Sequence, residues 1–522
     1  MKTKLLIIAL IVIPGLTKLQ AQKYKYDWMK MVTFDVEMCD VDMKIQADKA
    51  GFTYSTFSFQ WDIHLGRPPS KKKDPEPPIL SAEDAIKGVY IDKRDTNGDV
   101  VWAKVVRIGN PEEEDELSVL FNTVADLTVS NNGDIFITGS FDGKADFGQG
   151  ITLTSEGRND MYIAKISPDG ESQWAVRAGG SGVEYAECDP GGVSVTTDPS
   201  GNVFAVGMLN AYPKGGGTYG DGQPLELSEH GGTSVLFKLS SEGEFLWNKK
   251  APAGTFMANS DLSTDQSGNV YMAGSCQFFA EWDGNKTEVN GMRDAVLFKL
   301  DNDGRHIWTK VWGWGDGKFD GKNMDMETIG RMSVADDGRI TMMLSLYNGA
   351  EINGITIETD KKNASNMETL AVNLDASGNV TNMTQFASKD LTAMVTGMPN
   401  SLSPGFQGAD GLIYFNIGKK VTINEEKLKG DGIYSINADG EVTWLMDLVI
   451  KELKGVHAYG PIGFAMNSNA QLFSIGRVML MSDLVAQYGG ASAGKRIEKM
   501  HKKNYWINKD FNQGIVVVKY SN

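Results

Sequence analysis

The sequence predicts an all-β fold, a seven-bladed β-propeller of four-stranded antiparallel blades, from three short patterns that recur in fixed order. The first is a tight turn with Trp four residues after its Gly: Gly98 and Trp102, Gly170 and Trp174, Gly243 and Trp247, Gly304 and Trp308, Gly440 and Trp444. Gly378 leads to Asn382 instead, a copy without its Trp. The second is a Gly-Asn-type turn entering an alternating apolar strand, at Gly133, Gly201, Gly268, Gly338 and Gly411, with weaker copies at Gly51 and Asn469. The third is an apolar strand just before the Trp turn, starting at Val89, Tyr162, Val235 and Val296, with weaker copies at Thr369 and Ile433.

Each pattern is a strand or a hairpin turn. Short alternating apolar runs bounded by Gly, Asn and Asp signal antiparallel hairpins. Successive Trp-turn glycines lie 61 to 74 residues apart. A unit of that length with four strands is one propeller blade. Labelling strands a to d from the channel outward, blade one covers about 40–108 with strand a at Val41–Ala47. Blades two to six follow at about 122–178, 191–251, 260–313, 328–386 and 398–448.

The ends supply the seventh blade. Ile515 to Asn522 is a pre-Trp strand with no Trp strand after it, and Tyr26-Asp27-Trp28-Met29-Lys30 is a Trp strand with no partner before it. Strand d at 24–35 is therefore expected to pair with strands a to c from 461–522 and close the ring, which leaves no free edge.

Residues 1–21 read as a signal peptide: Lys2 and Lys4, an apolar run from Leu5 to Ile13, and a small-residue site at Ala21. The remaining 22–522 form one domain in this reading. No segment is long and apolar enough to be a transmembrane helix. Losing Lys2, Lys4 and Lys18 with no acids takes the formal charge from −16 to −19. Such a charge opposes binding to nucleic acid, which needs phosphates neutralised by Lys and Arg. Cys39, Cys188 and Cys276 cannot all pair within one chain, and each is expected to be a small buried apolar residue.

The series Asp265-Gln266-Ser267-Gly268-Asn269-Val270-Tyr271-Met272-Ala273-Gly274, then Leu297-Phe298-Lys299-Leu300, then Asp303-Gly304 and Trp308, resembles the SBBP-type β-propeller repeat of exported bacterial proteins. The resemblance spans essentially the whole mature chain and is strongest from about 122 to 312; blades one, five, six and seven have lost Trp or Gly residues. It implies the fold and an extracytoplasmic setting, in the periplasm or at the outer surface. It implies no chemistry.

Nothing in the sequence calls for a cofactor. The Asp95 to Asp99 and Asp301 to Gly304 turns resemble calcium loops superficially but lack a bidentate Glu at the proper spacing, so they read as hairpin turns and no metal site is expected. The Gly-x-x-x-Trp turn resembles that of quinoprotein dehydrogenases, yet their Thr before the Gly and adjacent cysteines are missing. No nucleophile elbow or His-Glu-x-x-His motif occurs, so no catalytic residue is assigned.

A binding site is instead expected where loops are long. The a–b and c–d turns are short and share one end of the molecule; the b–c and d–a connections are long, read as irregular, and share the other. They carry His64, Arg67, Trp312, Trp314, Asp316, His457, Lys495, Arg496, Tyr505 and Trp506, the expected partner-binding face. The expected role is a non-catalytic interaction module for another cell-envelope protein or complex, or a glycan. The alternative is a propeller enzyme acting on polysaccharide, a lyase or glycoside hydrolase.

Overall fold

The computed structural model describes residues 25–34, 43–59, 62–64, 79–81, 87–109, 124–157, 159–180, 191–209, 216–227, 233–251, 257–277, 279–289, 293–313, 327–347, 349–358, 367–387, 406–407, 413–417, 422–423, 426–427, 432–437, 442–447, 456–466, 471–480 and 513–521. Every regular element among them is a β-strand, and every strand pairing is antiparallel. No helix among the described residues is long and apolar enough to cross a membrane.

The strands repeat as four-stranded meanders. In the first unit, strands a to d are Met43–Ala47, Thr53–Phe59, Lys87–Arg94 and Val100–Ile108. The second has Asp126–Val129, Ile135–Phe141, Asp160–Ile166 and Ser172–Gly180. The third has Gly191–Thr197, Val203–Leu209, Thr233–Leu239 and Phe245–Lys250. The fourth has Met257–Thr264, Val270–Cys276, Asp294–Leu300 and His306–Trp312. Thr328–Val334, Ile340–Tyr347, Met367–Leu374 and Val380–Ala387 make the fifth. Phe406–Gln407, Ile413–Ile417, Gly432–Ile436 and Val442–Asp447 make the sixth. In the last sheet Val456–Met466, Leu472–Leu480 and Gln513–Ser521 are followed by Lys25–Phe34 from the other end of the chain. That pairing runs from Lys25 opposite Ser521 to Phe34 opposite Gln513.

Strand a of each unit lies against strand a of the next, and that of the last unit touches those of the sixth and the first. The arrangement is propeller-like. Strands b and c sit in the middle of each sheet, so both their faces are covered; in the second unit all residues of Ile135–Phe141 and Asp160–Ile166 are buried. Apolar cores lie between the sheets. The core between the first and second units joins Tyr54, Val89 and Ile91 to Ile135, Ile137, Ala164 and Ile166. Equivalent cores follow around the molecule.

The sequence repeats encode the docking of one unit on the next. Trp102 donates its Nε1–H to the Pro168 carbonyl at 2.9 Å, and its ring lies on Gly170. Trp174 does the same to Ser241 at 3.1 Å and lies on Gly243. The strand-c lysine joins them. Lys93, Lys165, Lys238 and Lys299 donate to the carbonyls of Pro168, Ser241, Asn302 and Ala376 at 3.1 to 3.3 Å. Each ammonium also sits 4.7 to 5.9 Å from a strand-b aromatic ring or its neighbour: Phe52, Phe136, Phe204 and Tyr271. The same contact recurs where the chain ends meet, for Lys519 donates to the Thr96 carbonyl at 3.0 Å and pairs with Asp27 at 3.3 Å.

The inner strands are tied differently. Strand a carries a bulge at 192–194, 259–261 and 329–331, which leaves a ladder N–H without its usual partner. The preceding unit supplies one. Asp126 accepts from the Val195 N–H at 3.0 Å, Ser194 from Leu262 at 3.2 Å, and Asp261 from Met332 at 2.9 Å.

Two expected boundaries move. Trp312, expected in a d–a loop, is the last residue of the fourth unit's outer strand and is 7% exposed. His457, also expected in a loop, lies within Val456–Met466 at a register shift between Val456 and Ala458.

Candidate interaction face

The a–b and c–d end is stitched tight. In the turns that start at Asp48, Asp95, Asp198, Asp265, Asp301 and Asp375 the Asp side chain caps the backbone, because its short oxygen reaches the N–H groups two and four residues on. Asp48 accepts from Ala50 and Phe52, Asp95 from Asn97 and Asp99, and Asp301 from Asp303 and Arg305, all at 2.8 to 2.9 Å. One carboxylate oxygen of each of the calcium-like turns at Asp95 and Asp301 is thereby committed to the turn itself. Among the described residues no three His, Cys, Asp or Glu side chains gather as a metal site.

The b–c connections correct the sequence reading. Those of the first six units each contain a two-stranded hairpin. Four of these hairpins extend the preceding unit's sheet beyond its strand d. The pairings are His64 to Thr33, Ala145 to Ile108, Tyr219 to Ala178 and Ile423 to Phe386. The hairpin then reaches its own unit's outer strand. Ser172 donates to the Phe147 carbonyl at 2.6 Å, Tyr219 packs edge-on against Phe245 at 4.9 Å, and Trp282 donates to the Gly304 carbonyl at 3.1 Å. The physical reason is geometric: sheets radiating from a centre diverge at the rim, and the hairpin fills the wedge. His64 belongs to such a strut by its backbone.

A signal for these struts was present. Ala145-x-Phe147, Ala280-x-Trp282 and Ala350-x-Ile352 recur with all six residues buried. Turns with two successive positive-φ residues follow, at Gln149-Gly150, Asp283-Gly284 and Asn353-Gly354. Asp-Gly and Asn-Gly are strong two-residue hairpin signals.

At the opposite end, the described residues include a charged cluster around Arg177. Arg177 donates to Asp160 at 2.6 Å, to Glu156 at 3.0 Å and to the Thr218 hydroxyl; Thr218 donates to Glu156 at 2.7 Å. These side chains come from strands c and d, a b–c connection and the next unit's hairpin. Burial pushes the Asp160 carboxyl up, while the Glu156 N–H and Arg177 pull it down. One guanidinium shared by two carboxylates and a hydroxyl is a clamp that ties the second unit's sheet to the third unit's hairpin. Gly179 must be glycine here, since a Cβ would fall 1.8 Å from Asp160 Oδ1.

Of the expected face, Arg67, Trp314, Asp316, Lys495, Arg496, Tyr505 and Trp506 lie outside the described residues, as do Cys39, Cys188 and residues 1–21. Trp312 is withdrawn from it, because its ring packs into the core with Ala295, Leu297 and Ile329. Cys276 is buried as expected; its Sγ–H donates to the Phe279 carbonyl at 2.8 Å, and burial pushes the thiol up to about 12. Native protein at pH 8 should therefore leave Cys276 unalkylated by iodoacetamide, with modification appearing only in denaturant when the tryptic peptides are weighed.

No family model matches the sequence, and no curated protein matches it. Several solved structures are similar in shape. A polysaccharide lyase is 9% identical, with 97% of this chain and 94% of that chain covered and a TM-score of 0.41. The β-propeller domain of the trilobed protease from Pyrococcus furiosus is 7% identical, over 87% and 90%, at 0.35. A protein of unknown function from Bacteroides caccae is 13% identical, over 69% and 90%, at 0.32. None of these similarities bears on activity.

Proposed function

We propose that the seven units are the blades of one ring closed by its own ends, exported to the periplasm or cell surface, and that it serves as a non-catalytic scaffold. One observation carries the reading. The a–b and c–d end is occupied by its own caps and by the Trp and Lys docking of neighbouring units, so a partner must use the opposite end or its loops. There the d–a connections and the connection between Leu480 and Gln513 emerge. The latter holds Lys495, Arg496, Tyr505 and Trp506, cationic and aromatic side chains on a strongly acidic chain. Aromatic and Arg side chains give the most binding energy per residue at interfaces.

The proposed partner is another envelope protein or complex, or a glycan, and the proposed kinship is with the SBBP-type repeat proteins. Polysaccharide cleavage stands second. The inner-strand carboxylates Asp126 and Asp261 are each engaged by a neighbour's backbone N–H, which holds them as structural acceptors rather than as an acid–base pair.

The test is recovery of the native assembly. A partner or glycan should co-purify with the parent chain and be lost when Lys495, Arg496, Tyr505 and Trp506 are replaced together by Ala, with the melting temperature unchanged. Recovery of a lone monomer from native envelope fractions, or equal capture by the variant, would sink the proposal.

A further inference from the structure

The face that the first unit turns toward the last unit differs from the equivalent faces of the second to fifth units. Residues alternate in direction along a strand. Tyr54, Val89 and Ile91 point to the second unit, whereas Phe57 and Tyr90 pack with Ala465, Phe473, Ile475 and Val517 of the last. Thr53, Ser55, Asp92 and Arg94 share the direction of Phe57 and Tyr90, and form two cross-strand pairs, Thr53 with Arg94 and Ser55 with Asp92. All four are buried.

The matching pairs of the second to fifth units are apolar, while the last unit has a single polar residue there, Ser474 opposite Val518. The second unit has Ile135 with Ile166 and Ile137 with Ala164. The third has Val203 with Leu239 and Ala205 with Phe237. In the fourth they are Val270 with Leu300 and Met272 with Phe298; in the fifth, Ile340 with Leu374 and Met342 with Val372. These apolar pairs lie in the cores between units.

Ser55, Asp92 and Arg94 find partners within their own unit, whereas the buried Thr53 hydroxyl has none. Asp92 pairs with Arg94 at 2.6 Å and accepts from Ser55 at 2.5 Å and Tyr90 at 2.8 Å. Arg94 donates to the Gly98 carbonyl at 3.2 Å. Ser55, Asp92 and Arg94 therefore need no polar partner from the last unit. An apolar quartet at the same place would gain more from docking, because burying apolar surface is the main favourable term in association. Ionic side chains in such a face do not add net stability over apolar ones of similar volume.

What distinguishes this face is how long it waits. Each of the matching faces in the second to fifth units meets a unit whose sequence directly precedes it. The first unit ends at Ile108, but its second neighbour requires residues 456–521. Until then an apolar face would be open to other copies, the usual route by which partly folded chains aggregate. Resting on the closed-ring reading, we propose that Thr53, Ser55, Asp92 and Arg94 keep this face unreactive toward other copies until the last unit docks, so that closure stays intramolecular.

The test transplants the second unit's residues, as T53I/S55I/D92A/R94I, with D92A/R94I as a milder companion and D92A alone as a contrast. Full chains are unfolded in denaturant and refolded over about 0.5 to 20 µM, and the dimers and larger species are separated by size. The multiple variants should keep or raise the native melting temperature, yet form roughly threefold more oligomer than the parent at the highest concentration. An oligomer fraction equal to the parent's at every concentration would overturn the proposal. So would a D92A/R94I native state as destabilised as D92A. Failure of the ring reading shows separately, as a chain lacking 515–522 that melts like the parent.

Discussion

Alanine at Gly243 should destabilise the protein by roughly 3 kcal/mol, while alanine at Gly201 should cost only about 1 kcal/mol. Both glycines are left-handed, with φ of +85° and +83°. The conformational penalty for an L side chain is therefore the same at each. What differs is the neighbour. A Cβ on Gly201 meets nothing within 4 Å, whereas one on Gly243 falls 2.7 Å from Trp174 Cδ2. The indole would have to lift from its seat, weakening the bond from its Nε1 to Ser241 and its packing on Phe136. Paired denaturant titrations of the two variants read the difference directly. Equal losses would mean that the Trp docking contributes nothing.

That contrast explains why so much of the fold was legible. The indole meets a Gly and the Lys a turn carbonyl of the neighbouring unit, and the strand-b aromatic ring of its own unit holds the ammonium in place. A motif that mediates contact between repeats must recur with the repeat, so it shows in one sequence. The inter-unit cores followed from the same periodicity.

The rim hairpins were harder to see. Their strands are two to five residues long and half exposed, as in Lys144–Gly148, so the alternation of apolar residues is too brief to stand out. The clue at Asp283-Gly284 and Asn353-Gly354 is a turn signal rather than a strand signal. Trp312 misled for a different reason. The glycine after it suggested a loop, but Gly313 is glycine because the Asp294 carboxyl occupies the space of its Cβ, 2.1 Å away. The first unit's departures looked like decay of the repeat. They are a concentrated set of buried polar residues, and only the pairing of Ser55 with Asp92 and Thr53 with Arg94 shows that they share one face.

If one ring is closed by its own ends, removal of Ile515 to Asn522 should cost far more than a single strand. The lost segment pairs along Lys25–Phe34 on one side and Leu472–Leu480 on the other. It carries the buried Val517 and Val518, and Lys519, which ties the last unit to Thr96. A strand that merely frayed at a chain end would take little with it. A closing strand removes the partner of both termini and opens the core formed by Phe57, Tyr90, Phe473 and Ile475. The truncated chain should melt roughly 10 °C or more below the parent, and the first unit should lose amide protection along with the last. A truncated chain that melts at the parent temperature, with Lys87–Arg94 still protected, would contradict ring closure.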